Sequence, residues 1–162
     1  MNETERDNRK FIADNNLGRL AKWLRLFGYD TLYYQKLSLF NMSRIARDEE
    51  RIFLTRSQKN ARLKIFGNAV LIRSSDIFEQ LKELASELDI TPIAPFCRCS
   101  LCNQKLNQIE AEKIRNLVPD YVYQTNERFM ICRKCGRIYW PGTHNRAIKE
   151  RFAEIINRDT GR

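Results

Sequence analysis

No stretch of this sequence approaches the roughly 20 apolar residues that a membrane-spanning helix needs, so a membrane partner is not expected. The opening residues, MNETERDNRK, are polar and lack the apolar centre of a secretory signal, which points to the cytoplasm. Histidine is almost missing: His144 is the single one. Acidic residues are also few, 20 against 29 Lys and Arg, leaving a net charge of +9. An acid deficit of this size favours a polyanionic partner, of which nucleic acid is the commonest. The excess is uneven, +3 over residues 1–96 and +6 over residues 97–162. There is no low-complexity segment, and no internal repeat beyond two cysteine pairs.

What is present describes a globular chain. Its 162 residues suit one domain, or one domain with a small appendage. Residues 1–10 read as a polar tail and residues 11–90 as an α/β unit. Phe11-Ile12-Ala13 is a short apolar strand that stops at Asp14. Leu17, Leu20, Ala21, Leu24 and Phe27 then recur at helical spacing. Asn15 or Asn16 is the expected cap, Gly28 the left-handed stop, and Tyr29 to Tyr34 the second strand. Asp14 thus falls at the carboxyl end of a strand, the edge of an open α/β sheet where ligands sit. Arg19, Lys22 and Arg25 form a basic stripe on the following helix. The series continues with a helix from Leu39 to Glu50, a strand Arg51–Thr55, a short helix capped by Ser57, a strand from Ala69 to Arg73, and a helix capped by Asp76. Strands alternating with helices imply a parallel sheet covered on both faces.

Residues 91–96 read as a linker, because Pro92 and Pro95 break the helix and hold the chain extended. Cysteines appear only after it. Cys99 and Cys102 form one pair and Cys132 and Cys135 another, each with two residues between the sulfurs. Two such turns aim four thiolates at one ion, the arrangement of a structural zinc site. Gly136 supplies the left-handed backbone such a turn needs, and Cys97 is left over. The 29 residues between the pairs exceed the usual separation of about 15–20. A helix near Glu110 to Asn116 and a hairpin from Tyr121 to Cys132 would account for the excess. Residues 97–162 are therefore expected to be a zinc ribbon closed by a helix from His144 to Asn157, the ion replacing a core the segment is too small to build. His144 reads either as a helix cap or packing residue or, near Trp140 and Arg146, as an RNA contact.

Several of these pieces resemble one family. Phe11-Ile-Ala-Asp14, Leu17-Gly-Arg-Leu-Ala21, Trp23-Leu-Arg-Leu-Phe-Gly-Tyr-Asp30, Ile52-Phe-Leu-Thr-Arg56, Glu79-Gln80-Leu81, Arg98-Cys-Ser-Leu-Cys-Asn103, Cys132-Arg-Lys-Cys-Gly136 and Tyr139-Trp-Pro-Gly-Thr-His144 are similar, in this order, to the Mut7-C RNase domain. That family joins a PIN-like nuclease domain to a zinc ribbon. The resemblance implies a metal-dependent ribonuclease, with Mg or Mn held by carboxylates at the sheet edge. Asp14 matches the principal acid, and Asp30 matches the acid of the Gly-Tyr-Asp motif. The sequence departs from the pattern at Ser57, which stands where the family usually has an acid after Leu-Thr-Arg. The segment Leu37-Ser-Leu-Phe-Asn41 likewise lacks the acid expected there, Asn41 being the nearest polar residue, and Asp76 could compensate.

Three functions remain open at this point. One is RNA or ribonucleoprotein binding through Arg19, Lys22, Arg25, Arg56, Trp140, His144, Arg146 and the basic ribbon, with catalysis weak or lost. The second is an active Mg- or Mn-dependent endoribonuclease. The third is an adaptor whose ribbon docks a protein.

Overall fold

The computed structural model describes residues 9–90, 97–141 and 150. The linker 91–96, the expected closing helix except Glu150, and the candidates His144 and Arg146 lie outside the described residues. Strand β1, Lys10–Ala13, is followed by helix α1, Gly18–Leu26, and strand β2, Asp30–Tyr33. Helix α2, Leu39–Asp48, leads to strand β3, Arg51–Thr55. A short helix α3, Gln58–Ala61, and a single 3-10 turn, Lys64–Phe66, precede strand β4, Ala69–Leu71, and helix α4, Ile77–Leu88. The four strands form one parallel sheet in the order β2-β1-β3-β4.

Alternation along β1 and β3 divides the core between two faces. Phe11, Ala13 and Leu54 pack with Leu20, Leu24, Leu81 and Leu84 of α1 and α4. Ile12 and Phe53 point the other way, onto Met42 and Ala46 of α2 and onto Phe66. Phe53 and Phe66 stack with ring centroids 3.7 Å apart. Each such buried Leu or Phe contributes about 1.5–3 kcal/mol. The expected α/β sheet covered on both faces is therefore the observed one.

The α1 start differs from the expectation. Neither Asn15 nor Asn16 caps it; Leu17 occupies that position with no side-chain bond. The turn is closed instead by the backbone of Asp14, whose carbonyl accepts from Leu17 N at 2.9 Å. Gly18 makes room for Tyr33: a Cβ there would lie 2.9 Å from Tyr33 Cζ, so the ring would have to shift. The Tyr33 hydroxyl crosses this gap and donates to the Asn15 carbonyl at 2.9 Å. Gly28 (φ 104°) ends the helix as expected.

The C-terminal part is a small antiparallel sheet with strand order β5-β6-β7: β5 Asn107–Ile109, β6 Phe129–Ile131 and β7 Ile138–Tyr139. The expected helix near Glu110 is a 3-10 turn, Ala111–Ile114, and the expected hairpin starting at Tyr121 is not formed. Tyr121 lies instead in helix α5, Asp120–Thr125. Tyr-Val-Tyr has the composition of a strand, but Pro119 and Asp120 start a helix there. One turn then delivers Val122 to a cluster with Ile114, Val118 and Phe129. β6 pairs with β5 and β7.

Candidate functional site

The two edges of the parallel sheet carry different chemistry. At the carboxyl edge, Asp14 follows β1 and is buried, at 7% exposure. Its Oδ1 accepts from Asn15 N at 2.7 Å. Its Oδ2 accepts from Thr55 Oγ1 at 2.6 Å and from Asn60 Nδ2 at 3.4 Å. Thr55 Oγ1 in turn accepts from Ser57 N at 3.1 Å. Ser57 caps α3 by accepting from Asn60 N. Asp14 thus ties the ends of β1 and β3 to α3 through neutral groups.

Two further acids near this edge, Asp76 and Glu83, are engaged with backbone N–H groups, while Glu79 in the first turn of α4 is exposed. Asp76 accepts from Phe78 N and Glu79 N as the α4 cap. Glu83 accepts from Arg73 N and Ser74 N. Asn41, the nearest polar residue of the other acid-lacking segment, lies in the first turn of α2. Arg19 in the first turn of α1, Lys36 after β2, Arg56 after β3 and Arg73 after β4 are exposed. The carboxyl edge therefore holds a recessed carboxylate with cations distributed around it.

Asp30 does not join Asp14. In the parallel register Asp30 pairs with Lys10, whereas Asp14 comes after Ala13. Four residues of strand separate the two levels by about 13 Å. Asp30 lies instead at the amino edge, bonded by Arg51 Nη1 at 2.7 Å and Asn103 Nδ2 at 2.8 Å, with Arg98 Nη2 at 3.5 Å. Burial opposes its ionisation, but the Arg51 and Asn103 hydrogen bonds and the Arg51 and Arg98 charges hold its pKa below the ordinary carboxylate value.

Arg25 also has a different place from the one expected of it. It is the third residue of the α1 stripe, yet it is buried, while Arg19 and Lys22 are exposed. Its Nε donates to the Thr31 carbonyl at 2.8 Å. Its Nη1 donates to the Ser100 and Leu101 carbonyls at 3.0 and 2.9 Å. Burial lowers its pKa, opposed by the Cys99 and Cys102 sulfurs. Arg25 fastens the first cysteine turn to α1 and is committed to the protein interior.

Those turns form the second site. Cys99, Cys102, Cys132 and Cys135 place their sulfurs within 4.8 Å of one another. Among the described residues they are the one group of three or more such side chains able to hold an ion. Zinc–sulfur bonds of about 2.3 Å in a tetrahedron need sulfurs just under 4 Å apart, and Cys99 and Cys135 are 3.7 Å apart. The four residues fit a structural zinc ion.

The two turns repeat one hydrogen-bond pattern. Asn103 N donates to the Cys99 carbonyl and Gly136 N to the Cys132 carbonyl, at 2.9 and 2.8 Å. Cys99 N donates to the Gln104 carbonyl and Cys132 N to the Arg137 carbonyl, at 2.8 and 3.0 Å. Asn103 and Gly136 are both left-handed, at φ 63° and 70°. Asparagine tolerates that conformation and adds a side chain. Asn103 Oδ1 accepts from Thr31 N at 3.0 Å while its Nδ2 reaches Asp30, so the amide docks the ribbon on the sheet. Arg98 reinforces this by donating to the Gly28 carbonyl at 3.1 Å.

Tyr139 completes the ribbon's polar centre. Its hydroxyl accepts from Ser100 N and lies 3.1 Å from Cys99 Sγ. Burial, and next the hydrogen bond to Cys99, push its pKa up to about 12. Cys99 moves down to about 6: burial opposes this, but hydrogen bonds from Tyr139, Cys102 N and Leu101 N outweigh it. Cys102 is pushed up to about 12 by burial and by its neighbours Cys135 and Cys99. Cys97, half-buried with its Sγ 3.9 Å from the Gly28 carbonyl, stays outside the group as expected. Trp140 packs against the cluster around Val122.

Sequence reading missed Asn103, Arg98, Tyr139, Thr55 and Asn60. Asn103 had a signal, since it occupies the position after Cys102 that Gly136 occupies after Cys135. Among the described residues no helix is long and apolar enough to cross a membrane. The family model described as Mut7-C RNAse domain matches residues 9–152. No curated protein matches the chain, and no solved structure matches it.

Proposed function

The chain belongs to the Mut7-C RNAse domain family, and from that premise we propose that it binds RNA on a ribonuclease scaffold whose acidic metal site is incomplete, with catalysis weak or lost. The observation that carries this reading is the neutral surroundings of Asp14. Mg and Mn take several oxygen ligands and depend on anionic ones. Asp14 offers one carboxylate, already accepting from Asn15, Thr55 and Asn60. These residues do not fit a catalytic divalent site.

RNA binding draws instead on the exposed cations. Arg19, Lys22 and Arg56 neutralise phosphates, while Asp14 positions the loops that present them. Arg25 acts one step removed, holding α1 against the ribbon. Electrostatic contacts of this kind make affinity fall with salt.

The test incubates labelled single-stranded and structured RNA with the zinc-loaded protein, in Mn²⁺ or in a mild chelator. The expected outcome is salt-sensitive binding without Mn²⁺-dependent cleavage. Cleavage abolished by Asp14→Asn would restore the endoribonuclease reading. Failure to bind RNA at low salt would favour a protein adaptor.

A further inference from the structure

The amino-edge network fixes a second cationic surface relative to the first. Arg19, Lys22 and Arg25 descend α1 at intervals of three, and Arg25 ends on the carbonyls of the first cysteine turn. Along the helix axis, Arg19 and Arg25 are about 9 Å apart. The second cysteine turn meets the first at the sulfurs. It carries Arg133, Lys134 and Arg137, all exposed, and residues 128–141 contain no acid. Among the described residues none of Arg19, Lys22, Arg56, Arg133, Lys134 and Arg137 has an ion-pair partner.

A zinc ion with four thiolates carries a charge of −2, which by itself would attract cations. Arg25 meets part of that need from the protein side, held on the Ser100 and Leu101 carbonyls of the first cysteine turn, while Arg98 is paired with Asp30. The three cations of the second turn are exposed and have no ion-pair partner among the described residues. They therefore remain available to a polyanion.

We propose that one single-stranded RNA lies along α1, its phosphates held at the carboxyl edge by Arg19, Lys22 and Arg56 and at the ribbon by Arg133, Lys134 and Arg137. The ribbon then acts as a second grip, and tight binding requires an RNA long enough to reach both. Linking two weak contacts at a fixed separation raises affinity without any new contact. The docking residues Asn103 and Arg25 set that separation. The proposal rests on the RNA-binding reading given above and adds the path and the minimum length.

The experiment measures affinity for oligouridylates, a trinucleotide and a dodecanucleotide, across a salt series. The charge-removed variant R133S/K134S/R137S should bind the trinucleotide as wild type does and the dodecanucleotide at least tenfold more weakly. Its salt slope on the longer RNA should fall by about 2, at roughly 0.7 per lost single-strand phosphate contact. Zinc content should stay at one per chain, and the charge-retaining R133K/R137K should bind like wild type. The variant N103G keeps the left-handed backbone and the metal ligands while removing the docking amide. It should lose affinity for the dodecanucleotide alone.

Unchanged dodecanucleotide affinity in R133S/K134S/R137S would overturn the path, as would equal weakening at both lengths. A wild type that binds neither RNA would refute the RNA-binding reading itself, a separate outcome.

Discussion

Asp30 and Asp14 lie at opposite edges of the same four strands, and their surroundings differ in kind. Asp30 meets Arg51, Arg98 and Asn103, drawn from β3 and from the ribbon. Asp14 meets Asn15, Thr55 and Asn60, all neutral. At the amino edge Arg51 and Arg98 are used inside the protein, joining two units. The carboxyl edge leaves its cations in solvent, where a ligand can use them. An aspartate at a sheet edge is thus not informative until its partners are known.

Removing the metal should break this contrast most severely. Chelation, or Cys132→Ser, should abolish hydrogen-exchange protection at Cys99, Asn103 and Gly136, because the ribbon's apolar clusters are too small to hold it. Protection should also fall at Thr31 N, which donates to Asn103, while Leu17 N at the other edge keeps its protection. Equal loss at both edges would contradict the separation. Acid should have the same effect as chelation: zinc must displace protons from the four thiols, so a lower pH favours release, followed by zinc content after dialysis.

Next in size is Arg25→Met. It strands the carbonyls of Thr31, Ser100 and Leu101 and should cost about 2–3 kcal/mol in urea unfolding of the zinc-loaded protein. Lys22→Ser, three residues earlier and exposed, should change stability by about 0.5 kcal/mol or less yet weaken RNA binding measurably. Similar stability losses for the two would erase the distinction between stripe and clamp.

Asp30 gives the comparison a pH dependence. Its folded pKa lies below the unfolded value, so its contribution is complete above the ordinary carboxylate range and disappears as pH falls through the folded value. Asp30→Asn should cost about 1–3 kcal/mol at pH 7 and flatten the fall in stability below about pH 4. Urea midpoints between pH 2 and 7 measure this. An unchanged acid limb in the variant would remove Asp30 from the network.

An equally small stability effect is expected from Ser57→Asp. Aspartate caps a helix about as well as serine, so stability should move by about 0.5 kcal/mol or less. The substitution adds a carboxylate beside the Thr55–Asp14 pair and should create or strengthen Mn²⁺ binding. No gain would mean that a second acid at this position does not suffice.

The sheet was legible because β1 and β3 are short apolar runs bounded by polar residues, and the helices between them keep a steady apolar spacing. The metal site was legible because paired cysteines two residues apart admit few other uses. The docking surface was not: Asn103, Arg98 and Arg25 read as ordinary polar residues until β2 and the first cysteine turn are brought together. Arg25 is the instructive case. Its spacing from Arg19 and Lys22 describes a solvated stripe, but spacing alone does not reveal a neighbour seventy-five residues away. α5 was misread for a related reason, since Tyr-Val-Tyr has strand composition while Pro119 and the Val122 cluster select a helix.

The most direct test of the central claim, that the carboxyl edge offers cations to RNA and no site for a catalytic divalent ion, is an electron paramagnetic resonance titration of Mn²⁺ into zinc-loaded protein. The account predicts that the free Mn²⁺ signal is the same with and without protein. A stoichiometric loss of that signal in the wild type, recovered in Asp14→Asn, would contradict it.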